Sequence, residues 1–353
     1  MACRHRVSGG KKAIKAIRIE EYGGPENLRL RNLELPDPEP GEVHVKLRAA
    51  GLNFVDVYLR RGELCAAGPN FVDVHPSRSE CPSSLPFTPG YDGAGIIEAV
   101  GEAVQEFKPG DRVAYTGHLG TYAEACVVPA SNLIPLPGDL SFEQGAAFPQ
   151  QGMTAHYLIH EYRLPKPGDT VLIHAAAGGL GLLLVQWAKH LGARVIGTVS
   201  TEKKAQAARA AGADEVILYT RQDFVAETKR LTDGLGADLI IDGVGKRTFI
   251  GNLEAVAVRG HVVIHGFADG LPDLIQPVSL LWRAISISGG MLGHFTRTRE
   301  ELLRRANDVL DGIREGWLKL HIDSVFPLAK AVEAQRRLES RESMGKIILQ
   351  TAA

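Results

Sequence analysis

The spacing of apolar residues along the chain changes character near residue 150. Before that point, short apolar runs, such as those at residues 42–47, 95–100 and 112–115, are separated by glycine and proline. Regularly spaced short runs with such turn residues between them are typical of a β-barrel or a β-sandwich. The first part of the chain is therefore predicted to be rich in β-strands.

After residue 165, strand-like apolar runs alternate with helical segments. The strand-like runs lie at residues 170–174, 194–199, 215–219, 238–242 and 261–265, and the clearest helices lie at residues 181–191 and 203–211. Strands that alternate with helices favour a parallel, doubly wound sheet. The predicted fold class is therefore α/β, with a β-rich domain followed by a doubly wound domain.

The C-terminal part of the chain has a third pattern. Residues 298–315 and 329–340 are predicted to be helices, and residues 345–349 a closing strand. We expect that strand to return to the earlier sheet and so to make the first domain discontinuous. The predicted division is a disordered extension at residues 1–12, a first domain at 13–149 and 294–353, and a doubly wound domain at 150–293.

Composition and charge narrow the possible partners. Of the 353 residues, 44% are hydrophobic and 23% are charged, and the formal net charge is -1. This balance gives no overall field for nucleic acid, and no apolar run approaches the ~20 residues of a membrane helix. Four cysteines without a C-x-x-C pair are typical of free thiols in a reducing compartment, so we expect a cytoplasmic location. The basic N-terminal residues leave targeting to an organelle as an alternative.

One short stretch occurs twice. The sequence Asn-Phe-Val-Asp-Val stands at residues 53–57 and again at residues 70–74. Prolines at positions 69, 76 and 82 argue against a second helix. We interpret the duplication as a tolerated surface insertion, because added loop length costs little free energy. A loop on the substrate side is the alternative interpretation.

The glycine-rich stretch at residues 174–181, His-Ala-Ala-Ala-Gly-Gly-Leu-Gly, is the clearest functional signal. A predicted buried strand ends at its first residue, and a predicted apolar helix follows it. Glycines let the backbone approach a pyrophosphate, and a helix N-terminus offers N–H groups and a positive dipole end. Strand, turn and helix in this order predict a dinucleotide site.

The end of the next predicted strand indicates which dinucleotide binds. NAD sites usually place Asp or Glu there, where the carboxylate binds the ribose hydroxyls. Here residues 198–201 read Thr-Val-Ser-Thr, and Lys203 and Lys204 follow shortly after. Hydroxyls and lysines suit a 2′-phosphate, so NADPH is the predicted cofactor. A solvated helix start is the alternative interpretation of the lysines.

Residues that could hold a catalytic zinc are missing from the expected place. The first domain has no Cys followed by a Gly-His-Glu stretch, and residues 89–95 read Pro-Gly-Tyr-Asp-Gly-Ala-Gly. His156 and His160 have a spacing that can bind zinc, but we interpret them as a surface helix face because the H-E-x-x-H arrangement is absent. Hydride transfer to an electrophilic acceptor, such as a quinone or a conjugated carbonyl, is then the simplest chemistry.

Several stretches together resemble one known family. They read Ala-Gly-Leu-Asn-Phe-Val-Asp at residues 50–56, Leu-Pro-Phe-Thr-Pro-Gly-Tyr-Asp-Gly-Ala-Gly at 85–95, Phe-Lys-Pro-Gly-Asp-Arg-Val at 107–113, Gln-Gly-Ala-Ala at 144–147 and Gly-Gly-Leu-Gly at 178–181. From about Ala13 onward, the chain resembles the NADPH:quinone oxidoreductases, the zeta-crystallin-like branch of the medium-chain dehydrogenases/reductases. The resemblance implies a GroES-like catalytic domain, a Rossmann domain, a cleft between them, and a homodimer or homotetramer.

The resemblance also implies a set of site residues. Asn53 and Tyr58 would line the nicotinamide and substrate side and position the acceptor, and Tyr58 or solvent would supply the proton. The other implied cofactor contacts are Thr154, Ala177, Gly178, Gly179, Leu180, Gly181, Ser200, Lys204, Tyr219, Gly266, Phe267 and Arg341. Lys204 would meet the 2′-phosphate, and Tyr219 the adenine end.

Some alternatives stay open at this point. The insertion at about residues 63–84 and the stretch Gly-Gly-Met-Leu-Gly at 289–293 depart from the family pattern, and both departures bear on the identity of the substrate more than on that of the cofactor. Asn53 can also cap the following helix with support from Asp56, and Tyr58 can be a core aromatic. Three functions remain: a zinc-independent quinone reductase, a 2-alkenal or enone reductase on the same scaffold, and a non-catalytic NADPH-binding structural protein.

Overall fold

The structure is a computed structural model, and it describes residues 12–63 and 85–351. The second copy of the duplicated stretch and nearly all of the insertion lie outside the described residues, as does the N-terminal extension up to residue 11. Backbone contacts divide the chain into two units. The first comprises Met1–Ala146, Val325–Glu339 and Ile348–Ala353, and the second comprises Ala147–Ser324 and Ser340–Ile347.

The described residues contain these elements. The strands are β1 (Lys12–Ile19), β2 (Leu28–Leu35), β3 (Glu42–Gly51), β4 (Asp92–Val100), β5 (Arg112–Tyr115), β6 (Ala125–Pro129), β7 (Leu133–Pro135), β8 (Thr170–Ile173), β9 (Arg194–Val199), β10 (Glu215–Leu218), β11 (Ala237–Asp242), β12 (Val256–Ile264), β13 (Ser286–Gly289), β14 (Ile322–Pro327) and β15 (Lys346–Gln350). The α-helices are α1 (Phe54–Arg61), α2 (Phe142–Ala147), α3 (Pro149–His160), α4 (Gly179–His190), α5 (Glu202–Ala210), α6 (Phe224–Leu231), α7 (Phe249–Ala255), α8 (Leu292–Phe295), α9 (Arg299–Arg314) and α10 (Ala331–Glu339).

Antiparallel strands dominate the first unit, as its sequence predicts. β1 and β2 form a hairpin. β3 pairs with both β4 and β6; on its other side, β4 pairs with β5, which in turn pairs with β7. Side chains alternate between the two faces of a strand, so Val43, Val45 and Leu47 of β3 all point into one core. The closing strand β15 returns to this sheet, where Ile348 pairs with Gly51.

The second unit is built on a six-stranded sheet in the order β10–β9–β8–β11–β12–β13, and its neighbouring strands pair in parallel. Parallel strands are covered on both faces, which explains their continuous apolar runs, such as the fully buried Val171, Leu172 and Ile173 of β8. From β8 the strands follow one another outward to β9 and β10 on one side, and from β11 they follow outward to β12 and β13 on the other. The edge where these directions diverge is the place where doubly wound sheets bind ligands.

The doubly wound domain, which the sequence analysis ends at residue 293, extends further along the chain in the structure. Residues 294–324, which the sequence assigns to the first domain, group with the second unit. The reason is the packing of α9 on α3: Arg305 is almost fully buried, and its guanidinium hydrogen-bonds His156 Nδ1 at 2.8 Å and Glu161 Oε1 at 2.5 Å. Asp308 completes the contact at His156 Nε2, 2.7 Å away.

These contacts also correct the interpretation of His156 as part of a surface helix face. Its ring is buried, and it stacks on His160 with the ring centres 4.5 Å apart. Burial is the largest cause that lowers the pKa of His156, to about 4, although the hydrogen bond to Asp308 acts in the opposite direction. The neutral ring can therefore accept a hydrogen bond from Arg305 at Nδ1 and donate one to Asp308 from Nε2.

Candidate functional site

The glycine turn connects β8 to α4 in the second unit. Gly178 caps α4 with an extended backbone, and the preceding Ala175 has a φ of 51°. A Cβ atom on Gly181 would lie 2.3 Å from the carbonyl oxygen of Ala175, so only glycine fits there. The close packing lets the first turn of α4 face the edge of the sheet, where helix N–H groups and the dipole favour an anion.

A chain of buried hydrogen bonds lies directly beneath this turn. His174, the residue after β8, bonds Thr198 of β9 through Nδ1 at 2.9 Å and Asn252 of α7 through Nε2 at 2.7 Å. The Asn252 amide donates to Asp242 Oδ2 at 2.7 Å, and the Thr248 hydroxyl donates to the same oxygen at 2.7 Å. This series of hydrogen bonds thus connects the ends of β8, β9 and β11.

The direction of these bonds follows from the chemistry of the groups. The Asn252 side-chain oxygen can only accept, so His174 donates from Nε2. Burial is the largest cause that lowers the pKa of His174, which keeps the ring neutral. Nδ1 of a neutral ring is then an acceptor, and the Thr198 hydroxyl donates to it.

Asp242, the last residue of β11, connects the same network of hydrogen bonds to the turn that follows this strand. Its Oδ1 accepts from the backbone N–H groups of Val244 at 2.7 Å and Gly245 at 3.3 Å, so it caps that turn. The neighbouring turn after β12 approaches closely, because a Cβ on Gly266 would lie 3.1 Å from the carbonyl oxygen of Gly243. Gly266 and the adjacent Phe267, both predicted cofactor contacts, therefore lie at the edge of the sheet that carries the glycine turn.

The end of β9 gathers three more of the predicted cofactor residues. Ser200 follows the strand, and its carbonyl oxygen accepts from the Thr220 hydroxyl at 3.0 Å. Thr201 caps α5 by accepting from the backbone N–H of Lys204 at 3.3 Å. Tyr219 follows β10, and its N–H donates to the carbonyl oxygen of Val199 at 3.2 Å. Ser200 and Tyr219 are thereby held beside the start of α5.

The segment Ser340–Ile347 crosses this edge of the second unit. Gly345 forms an isolated parallel bridge with Gly178 of the glycine turn. The Lys204 ammonium donates to the carbonyl oxygen of Arg341, and the Arg341 guanidinium donates to Asp269 Oδ1 at 2.9 Å. The structure therefore brings Lys204, Arg341 and the glycine turn into one part of the unit. Nothing in the sequence alone distinguishes Asp269 from other loop carboxylates.

The first unit holds the other predicted site residues. Asn53 caps α1, and its backbone N–H donates to Asp56 Oδ2 at 2.9 Å, as the capping interpretation predicts. The Asn53 side-chain amide donates to Asp92 Oδ2 at 2.9 Å, and the Tyr122 hydroxyl donates to Asp56 Oδ2 at 3.0 Å. Burial, followed by the charge of Asp56, raises the pKa of Tyr122 well above its usual value. Tyr122 therefore stays a hydrogen-bond donor.

Asp92 lies at the start of β4, where its side chain accepts the hydrogen bond from Asn53. The two residues are 39 positions apart, so no local pattern links them. Tyr58 lies one turn after the start of α1, and its ring is 6.3 Å from that of Phe54. In the second unit, Thr154 is buried in α3.

Within residues 12–63 and 85–351, no three His, Cys, Asp or Glu side chains converge so that they could hold a metal ion. In the same part of the chain, no helix is both long enough and apolar enough to cross a membrane.

Comparisons with known proteins extend these observations to both units. The model of the alcohol dehydrogenase GroES-like domain matches residues 39–138, and the model named zinc-binding dehydrogenase matches residues 179–308. The quinone oxidoreductase of Pseudomonas aeruginosa is 40% identical over 342 residues, which cover 95% of this chain and 99% of that protein. The chain belongs to the quinone oxidoreductase family.

Two further relatives describe the range of this family. The 2-haloacrylate reductase of a Burkholderia species is 36% identical and covers 95% of this chain and 98% of that protein. The Escherichia coli quinone oxidoreductase, whose structure was solved in complex with NADPH, has a TM-score of 0.86 at 35% identity and covers 96% of this chain and 99% of its own. The family resemblance and the fold class predicted from the sequence are thereby confirmed.

Proposed function

We propose that this protein is a quinone reductase that transfers a hydride from NADPH to a quinone and needs no zinc ion for the reaction. The observation that carries the proposal is the end of β9, where hydroxyls and Lys204 stand in place of a ribose-binding carboxylate and Arg341 lies beside Lys204. A 2′-phosphate suits such a cationic surface. Family membership supports the same function, since the related enzymes are named quinone oxidoreductases and include one solved with NADPH.

Each group of residues has a proposed task. The glycine turn at 177–181 would hold the pyrophosphate, Lys204 the 2′-phosphate and Tyr219 the adenine end. When bound, NADPH supplies a hydride to the acceptor. A quinone that gains one hydride and one proton becomes a hydroquinone, so the site must also deliver a proton. We propose that Asn53 orients the acceptor and that Tyr58 or solvent supplies this proton.

The zinc-free mechanism rests on the residues of the first unit. Asp92 occupies the place where a zinc ligand would be sought, and it accepts a hydrogen bond from Asn53 at 2.9 Å. Metal analysis of the purified protein, followed by activity measurements with and without a chelator, tests this directly. We expect unchanged activity after chelation. A stoichiometric zinc ion whose removal abolishes turnover would contradict the proposal.

One acceptor screen separates the candidate functions. NADPH oxidation is followed with a panel of benzoquinones and naphthoquinones, and in parallel with 2-alkenals, enones and 2-haloacrylates. Turnover of the quinones is the expected result. A clear preference for the conjugated carbonyls would favour the second candidate, which the similarity to a 2-haloacrylate reductase supports. Tight NADPH binding without any turnover would favour a non-catalytic role.

We further propose that the protein is cytoplasmic and forms a homodimer through one edge of the second unit. Among the described residues, β13 is the end strand of its sheet, and the segment that precedes it in the sequence carries Leu274 and Trp282, which are 99% and 84% exposed. Leu281, on the same 3-10 helix as Trp282, is also largely exposed. A second copy can pair with an open strand edge and cover apolar side chains at once. Cell fractionation tests the location, and sedimentation tests the assembly, including the homotetramer as the alternative.

A further inference from the structure

A carboxylate stands among the cations at the edge of the second unit where the 2′-phosphate is proposed to bind. Asp269 Oδ1 accepts from Arg341 Nη2 at 2.9 Å, and its Oδ2 lies 2.8 Å from Arg247 Nε. Arg247 Nη2 also donates to Oδ1 at 3.1 Å, so this guanidinium forms a bidentate pair with the carboxylate. An acid near a phosphate site would ordinarily weaken anion binding, so its presence calls for a reason.

The carboxylate is held in a fixed position by its own backbone. The N–H of Asp269 donates to the carbonyl oxygen of Val244 at 2.9 Å, and the N–H of Ala268 donates to that of Gly243 at 3.0 Å. The turns after β11 and β12 are therefore locked together. The Asp269 side chain is only 12% exposed. Its burial favours a raised pKa, but the hydrogen bond from Arg341 and the charge of Arg247 hold the pKa below its usual value.

Arg341 is more exposed than Asp269, which is its charged partner. Its side chain is 49% exposed, and the contacts of its guanidinium to Asp269 and to the Ala268 carbonyl oxygen both use Nη2. Its backbone has a φ of 59°, in the left-handed region that residues other than glycine rarely adopt. Its carbonyl oxygen accepts from the Lys204 ammonium. Arg341 therefore contacts Asp269 through its side chain and Lys204 through its backbone.

We propose that Asp269 is a positioning residue for cofactor selectivity, which holds Arg341, and through it Lys204, where both meet the 2′-phosphate of NADPH. Arg247 neutralises Asp269 in a two-nitrogen pair, so the carboxylate adds little repulsion. Arg341 has five N–H donors in a fixed fork, and the use of one nitrogen by Asp269 leaves other donors for the phosphate. This inference rests on the proposed NADPH-dependent function.

The test compares Asp269→Asn with the wild-type protein in direct binding titrations. Affinities are measured for NADPH and NADH, and also for 2′,5′-ADP and 5′-AMP, which differ by the 2′-phosphate alone. We expect the preference for the phosphorylated member of each pair to fall roughly tenfold in Asp269→Asn, because a charge-assisted contact that orders a long side chain is lost. The affinities for NADH and 5′-AMP should change little.

Two further variants make the result specific. Arg247→Gln removes the partner that anchors Asp269 and should lower the same preference by a smaller factor. Glu227→Gln is the matched control, because it removes a carboxylate paired with Arg230 on α6, at 2.8 Å, without touching the phosphate edge. This control should keep the wild-type preference.

The outcomes distinguish this inference from the proposed function. A wild-type protein that does not prefer 2′,5′-ADP to 5′-AMP would contradict NADPH as the cofactor. A wild-type preference that Asp269→Asn leaves intact would overturn the positioning role alone. Tighter NADPH binding by Asp269→Asn would also overturn it, since Asp269 would then compete with the phosphate for Arg341. An equal loss for both members of each pair would indicate a purely structural effect and would overturn it as well.

Discussion

Replacing Asn252 by leucine removes the middle of the hydrogen-bond chain that joins His174 to Asp242 beneath the glycine turn. Leucine has the same number of side-chain heavy atoms as asparagine but a larger volume, so the change removes the polar contacts without opening a cavity. His174 loses the acceptor of its Nε2 proton, 2.7 Å away, and Asp242 loses one donor at 2.7 Å. Asn252 and Asp242 are fully buried, so water does not replace either contact.

The expected loss follows from these two contacts. A buried polar group left without its partner costs about 1–3 kcal/mol. Asp242 keeps the Thr248 hydroxyl and the backbone N–H of Val244 as donors, so its share lies at the lower end. We therefore expect Asn252→Leu to lower the free energy of unfolding by roughly 2–4 kcal/mol. Because these buried hydrogen bonds hold the turns at the edge of the sheet where the nucleotide is proposed to bind, NADPH binding should also weaken.

Urea unfolding with linear extrapolation measures this loss, provided that the slope with denaturant stays constant between variants. Asn32→Leu is the control, since Asn32 is an exposed residue of β2 in the other unit. An Asn252→Leu protein that is no less stable than this control would show that the buried hydrogen bonds do not stabilise the fold.

Three other predictions follow from the site and the fold. Lys204→Glu should reverse or abolish the preference for NADPH over NADH in binding titrations, and an unchanged preference would mean that the 2′-phosphate assignment is wrong. His156 has a folded-state pKa of about 4 against an ordinary 6.5, so it contributes stability above pH 6.5 that is lost as the pH falls toward 4; thermal melting should show a steeper acid loss for wild type than for His156→Gln. Trp282→Asp should convert a dimer into monomers in sedimentation experiments, and an unaltered dimer would place the interface elsewhere.

The sequence predicts most strands and helices of the second unit because the structural requirements of these elements are visible in short stretches of sequence. Strands covered on both faces need unbroken apolar runs, and β8 has one in Val171, Leu172 and Ile173. The turn that follows needs glycine at position 181 because a Cβ there would meet the backbone of Ala175. Both requirements appear within a dozen residues, so they can be read without any knowledge of distant contacts.

The features that the sequence did not reveal depend on residues far apart in the chain. The apolar face of α9 predicts that the helix packs on something, but not that Arg305 meets His156 of α3, 149 positions away. Asn53 and Asp92, like Arg341 and Asp269, are polar pairs joined only by the fold. The catalytic and cofactor roles of the named site residues remain predictions until the variants are measured.

The path of the last residues has a consequence for how the protein is made. Ser340–Ile347 belongs to the second unit, where Gly345 meets the glycine turn, and β15 then pairs with β3 in the first unit. Chains emerge from the ribosome N-terminal end first, at about 5–20 residues per second. Residues 340–350 contribute to both units, so neither unit can be completed before this stretch has emerged, and both stay partly assembled until then.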